Sequence, residues 1–199
     1  MDTAIANPQN PSSILQATGK RFGIRAGAYL IDSIVIFVFN FVMSAIAGLL
    51  FGIIYALSTG RAPVLSERSD QWLNYFIGFI LMTIYFTLFE WLYGATPGKL
   101  VLGMRVIKED GSPCGLGSAF IRALLRLIDG LIFGLVAYQS MKEPLYQRVG
   151  DKSAKTIVVS SKDAVILQPR PWWGFLVAVV SYLAIDAIVM VFWIIVLNR

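Results

Sequence analysis

Histidine is absent from the 199-residue chain, and cysteine occurs once, as Cys114. The first absence excludes imidazole acid–base chemistry, and the two together exclude a zinc site and a disulfide scaffold. Cys114 reads as a small loop residue rather than a reactive thiol. Charge is also scarce: Asp, Glu, Lys and Arg supply 15% of residues against 57% hydrophobic ones, outside the range of a soluble globular domain. No nucleophile–base arrangement and no phosphate-cradling loop is present, since residues 94–98 (GATPG) lack the P-loop pattern and follow no soluble strand. These gaps argue against an enzyme, and no cofactor or metal ion is expected. The composition is that of a membrane protein.

Residues 33–60 hold no charged side chain, and about 20 apolar residues suffice to cross the hydrocarbon core as a helix. Spans are predicted over about 24–57, over 72–93 with Glu90 as the only charge, and over 174–197 with Asp186 as the only charge. A further apolar stretch, 116–138, carries Arg122, Arg126 and Asp129. Residues 1–22 form a polar tail without the basic start and short apolar core of a secretory signal. Residues 161–173 read as a linker. Trp72, Trp91, Trp172, Trp173 and Trp193 fall near span ends, where they suit interfacial anchoring.

The net charge is +5, and the apolar segments hold three arginines against four carboxylates, so loops and termini carry +6. Lys20, Arg21 and Arg25 precede the first span, and Lys99, Arg105 and Lys108 follow the second, which places both regions in the cytoplasm by the positive-inside rule. The connection 139–173 carries Lys142, Arg148, Lys152, Lys155, Lys162 and Arg170, and it lies on that same side only if 116–138 turns back. A break at Asp129-Gly130 would leave helical pieces rising about 16 and 12 Å against a core of ~30 Å, so neither crosses. LVLGMRVI (100–107) and TIVVSS (156–161) are β-branched and suit a small cytoplasmic sheet, with a tight turn at 109–113. The expected class is therefore an all-α integral membrane protein: three full transmembrane helices, a re-entrant or interfacial third helical segment, and a small cytoplasmic β element.

Arg25 and Asp32 share a helix face about 10.5 Å apart, but side chains lean toward the helix N-terminus and draw Arg25 away, so a tight pair between them is not expected. Asp32 lies two turns deeper, where an aspartate costs at least ~2.5–3.5 kcal/mol unless it is protonated or paired. Arg122, Arg126 and Asp129, spaced four and three apart, share one face, and Arg126 or Arg122 is expected to reach Asp32. Glu90 arrives at the same depth. The cluster reads either as buried salt bridges that fix helix packing or as a cation or proton path with Asp32 as the alternately charged group. Asp186, one turn from Tyr182, is either hydrogen-bonded and neutral, with Tyr182 or across a subunit interface, or part of an aqueous route. Asn40 suits a hydrogen bond between helices, and Ser44, Gly48 and Gly52 form a small-residue stripe for packing within the chain or for a homodimer.

Four stretches, RAGAYLIDSIV (25–35), GATPGKLVLGMRVIKEDG (94–111), RALLRLIDG (122–130) and QRVGDKSAKTIVV (147–159), resemble the RDD family of small bacterial membrane proteins. The resemblance spans a membrane domain over about 23–160 and leaves out the last apolar segment. It implies that the naming arginine and aspartates are Arg25, Asp32 and Asp129, with Gly98, Lys99, Gly103, Arg105, Arg148, Asp151, Lys152 and Thr156 as further motif positions. Family members commonly carry a histidine where this chain has Gly150, and a glycine near Lys155. The resemblance implies a multi-pass protein of the inner (plasma) membrane that transports an unidentified small ligand or exchanges monovalent cations and protons. A non-transporting accessory or scaffold acting through the basic loops is the alternative. The lipid bilayer is an expected partner and nucleic acid is not.

Overall fold

The structure is a computed structural model that describes residues 19–61, 71–162, 166 and 168–197. Expectations for the tail up to residue 18 and for the Trp193 side chain lie outside the described residues.

Long apolar runs without proline become helices because each backbone polar group is then satisfied within its own segment. Helix α1, Phe22–Thr59, runs unbroken for 38 residues and ends at Gly60, whose N–H bonds the Ala56 carbonyl at 2.9 Å. Helix α2, Gln71–Leu92, follows. The last helix, α8 (Trp173–Leu197), starts just after Pro171. These three are long and apolar enough to cross a membrane. Contacts between Phe39 and Tyr182 and between Ser44 and Met190 set α1 parallel to α8. Contacts from Tyr85 to Tyr182 and from Phe89 to Phe175 set α2 antiparallel to both.

The paired buried charges gather at one end of this bundle. After α2, Thr96 caps the short helix α3 (Pro97–Val101), accepting the Lys99 N–H with Pro97 at the helix start. That helix takes residues 100–101 out of the predicted strand, so β1 covers only Met104–Lys108. It pairs antiparallel with β2, Thr156–Ser160, from Met104 opposite Ser160 to Lys108 opposite Thr156. The turn at 109–113 closes with Lys108 N–H on the Ser112 carbonyl at 2.9 Å.

The third apolar stretch is broken twice rather than once, into α4 (Leu116–Leu124), α5 (Arg126–Asp129) and α6 (Leu131–Ser140). The added break at Leu125 leaves Arg122 and Arg126 both on Glu90 while Asp129 turns to Arg148. At nine and ten residues, α4 and α6 rise about 14 and 15 Å, well short of the ~30 Å core. Ala119, Arg122 and Ala123 are buried while Leu116, Phe120, Ile121, Leu124, Leu127 and Ile128 are exposed, the one-sided pattern of an element lying across the end of the bundle. A further short helix, α7 (Val149–Ser153), precedes β2. Lys20 N–H bonds the Val158 carbonyl at 2.8 Å, so the start of α1 and the 139–173 connection share one side, as the charge distribution requires.

Two expectations need correction, and the one for Asn40 needs an addition. Trp91 packs against the core formed by Ala28, Met104, Val106 and Val158, whereas Trp72, Trp172 and Trp173 are exposed as anchors should be. Asn40 donates to the Ile36 carbonyl of its own helix at 2.8 Å, which uses one amide donor and leaves the rest of the side chain beside Tyr182 of α8. A Cβ at Gly48 would meet nothing within 4 Å, so the stripe makes no close contact there within the chain.

Candidate functional site

Glu90, in the last turn of α2, is fully buried and is the first hub of a charge network. Its Oε1 accepts from Lys99 Nζ at 2.6 Å and Arg126 Nη2 at 3.2 Å, and its Oε2 accepts from Arg122 Nε at 2.7 Å. Arg122 then bridges to the second hub, donating through Nη1 to Asp151 and to Thr156 Oγ1, the latter at 2.6 Å. Arg25 donates to Asp151 and, at 2.9 Å, to the Tyr146 carbonyl. A guanidinium can serve two hubs because its planar donors point in fixed, separate directions.

Local sequence sets these positions. Asp151 is the third residue of α7 and its carboxylate reaches back to the Arg148 backbone N–H at 3.0 Å, the acidic half of a capping box. The Arg148 guanidinium stands 3.6 Å from Asp151 and 3.7 Å from Asp129, within ion-pair range of both. Gly150 sits so close that a Cβ would meet Asp129 Oδ2 at 3.2 Å and Leu125 Cβ at 3.3 Å, leaving no room for the larger side chain common in the family.

Asp32 is the main correction. Neither Arg122 nor Arg126 bonds it, because both are held on Glu90. Its Oδ2 accepts from Thr96 Oγ1 at 2.6 Å, and its Oδ1 from the Gly98 N–H at 2.8 Å and Tyr85 Oη at 3.1 Å. The expected charge compensation is replaced by three neutral donors, two of them set by the first turn of α3. Gly98 is required here, since a Cβ would overlap the Ala28 carbonyl oxygen and lie 2.9 Å from Asp32 Cγ.

The electrostatics outside the spans follow from these contacts. Burial alone would raise the Asp151 carboxyl, but the guanidiniums of Arg122, Arg25 and Arg148 hold it well below its ordinary range. Burial lowers Lys99 to about 8, with Glu90 offsetting only part of the cost. Burial and the adjacent Arg148 lower Arg126 to about 10 despite Glu90. Arg122 is also buried, yet Asp151 and Glu90 together raise it.

Asp186 stands apart from the network. It is fully enclosed, and neither carboxylate oxygen has a hydrogen-bond partner among the described residues; the Tyr182 hydroxyl, one turn away, has none either. Tyr182 in turn packs edge-on against Tyr85, ring centroids 5.3 Å apart, and Tyr85 bonds Asp32. A groove of about 270 Å³ lined by Asn40, Ser44, Asn74 and Met190 lies among the same three helices.

Arg25, Glu90, Arg122, Arg126 and Asp129 therefore come together as the sequence suggests, joined by Lys99, Arg148, Asp151 and Thr156, which only the family resemblance had marked. Gly103, in the left-handed region at φ 62, turns the chain into β1, and Arg105 stacks on Tyr93 with 4.6 Å to the ring centre. Lys152 reaches the Ser140 carbonyl at 2.8 Å on the exposed side and does not join the network. Thr96 and Tyr85 escaped sequence reasoning; the Thr-Pro pair, a helix-start signature, was the available signal for Thr96.

No curated protein matches the chain, and no solved structure does. A family model described as RDD family matches residues 20–193, which extends the likeness through most of α8 and brings Asp186 inside it. With most of its length so matched, the chain belongs to the RDD family.

Proposed function

We propose that this protein is a transporter of the inner (plasma) membrane, its N-terminus cytoplasmic, that moves a monovalent cation or a proton past Asp32, Tyr85, Tyr182 and Asp186. The observation that carries this reading is Asp186, a carboxylate enclosed among apolar helices with neither oxygen hydrogen-bonded. Ionisable residues at membrane depth are costly, and their usual role is to bind or relay an ion. Asp186 lies 13 residues into α8, about 20 Å along its axis. Asp32, at the polar end, accepts hydrogen bonds only from neutral donors among the described residues, so no cation is bonded to it. The two tyrosines lie between these carboxylates. The Glu90 and Asp151 hubs, being already paired with cations, serve as the rigid base that positions the carrier groups.

The test is flux in proteoliposomes, read with proton- and sodium- or potassium-sensitive dyes. Asp186→Asn and Asp32→Asn are expected to abolish exchange while the purified protein still elutes as a single species. Wild-type flux unaffected by Asp186→Asn overturns the route. Absence of flux in the wild type, with a protein partner retained through residues 94–111 or 139–170, would support the accessory role instead.

A further inference from the structure

A second cavity, of about 430 Å³, lies between α1, α5 and α6, away from the Asp186 groove. Arg25, Arg126 and Arg148 line it against a single carboxylate, Asp129. Arg25 is satisfied by Asp151 and the Tyr146 carbonyl. The other three are not: Arg126 Nε, Arg148 Nε and both Asp129 oxygens are buried without hydrogen-bond partners. The Arg126 side chain is 7% exposed, with its guanidinium centred 3.5 Å over the Phe86 ring. Buried donors and acceptors left unmet on one cavity wall carry a cost that an occupant would remove.

Charge and shape restrict that occupant. Arg25, Lys99, Arg122, Arg126 and Arg148 face Glu90, Asp129 and Asp151, so the network carries two positive charges in excess, which an anionic occupant would offset. Two free N–H donors on separate guanidiniums suit two oxygens of a phosphodiester. Asp129, held only by its 3.7 Å ion pair with Arg148 and without a hydrogen bond, would take hydroxyl donors on the same molecule. The remaining wall is largely apolar, and at its edge Leu30 is 65% exposed, with Leu127 and Ile128 of α5 also exposed. Such a rim accommodates acyl chains.

We propose that this cavity seats the headgroup of an anionic phospholipid, its phosphodiester on Arg126 and Arg148 and its headgroup hydroxyls on Asp129. The site is independent of the transport reading, since it uses neither Asp32 nor Asp186. It differs from general attraction of basic loops to an anionic surface, because it has a defined volume and fixed donors.

Native mass spectrometry of the full chain in detergent, with phosphatidylglycerol, phosphatidylmethanol or phosphatidylcholine added, tests it. Phosphatidylglycerol is expected to be retained about tenfold more tightly than phosphatidylcholine, the scale of one charge-assisted hydrogen bond, and more tightly than phosphatidylmethanol, which lacks the hydroxyls. Arg148→Gln should weaken that retention. Ala26→Leu should also weaken it by filling the cavity without altering any charge, which separates loss of the site from loss of the network. Equal retention of phosphatidylglycerol and phosphatidylcholine would overturn the proposal, as would equality with phosphatidylmethanol or full retention in Ala26→Leu. Displacement of phosphatidylglycerol by millimolar inorganic phosphate would assign the donors to a free anion and likewise overturn it.

Discussion

The backbone N–H of Gly98 stands 2.8 Å from Asp32 Oδ1, and the approach that permits this bond leaves no space for a side chain at position 98. Gly98→Ala must therefore push α3 away from α1 and stretch the bond. A cost of about 1–3 kcal/mol is expected, as for other overpacked sites, seen as a lower melting temperature in detergent. Gly117→Ala, whose added methyl meets nothing within 4 Å, should leave the melting temperature unchanged or raise it.

Arg122 joins Glu90 to Asp151, so Arg122→Met takes one buried partner from each, leaving Glu90 with Lys99 and Arg126 and Asp151 with Arg25 and Arg148. The expected loss is on the order of 3–5 kcal/mol in thermal or denaturant unfolding. Arg122→Lys should not rescue it, because an ammonium cannot serve both hubs at once. Combining Arg122→Met with Glu90→Gln should cost less than the two changes summed.

Acid should weaken the fold through Asp151. Its folded value lies below the ordinary 3.8, so the stability it contributes is complete above that value and is lost as pH falls through the folded one. Melting temperature followed from about pH 5 downward should fall more steeply in wild type than in Asp151→Asn.

Lys99 acts with the same sign, but at alkaline pH. Its folded value of about 8 lies below the ordinary 10.5, so between these the unfolded chain binds more protons and stability rises with pH. Lys99→Met should lack that alkaline rise when melting is followed over the same window.

The proposed orientation is open to labelling. Single cysteines at Lys142, Lys155 and Lys162, with buried Cys114 as a silent background, should react only from the cytoplasmic side, and one at Arg61 only from outside. External labelling at Lys155 would invert or break the proposed topology.

The spans were legible because apolar runs without charge have few other fates, and the sheet because β-branched residues cluster between turn formers. The common side of the two basic connections followed from their lysines and arginines. The pairing of ions did not follow. Arg25 meets Asp151 across 126 residues of sequence, and Asp151 sits in a polar stretch that periodicity reads as solvated loop. Asp32 was expected to need a guanidinium because it carries charge, yet its partners are two hydroxyls and a backbone N–H, groups that leave no charge pattern to read. The single expected break at Asp129-Gly130 missed Leu125, a residue that gives no local sign of interrupting a helix.

Helix α1 has one further property, its unbroken length. Thirty-eight residues rise about 57 Å, nearly twice the hydrocarbon core, and the first eleven are gripped on one face by Asp151, Thr96 and Gly98. The far half is thus a rigid rod clamped at its foot. Whatever lean it adopts to match the thickness of the surrounding bilayer is delivered as torque to that clamp, which makes acyl chain length a mechanical input to the charged base.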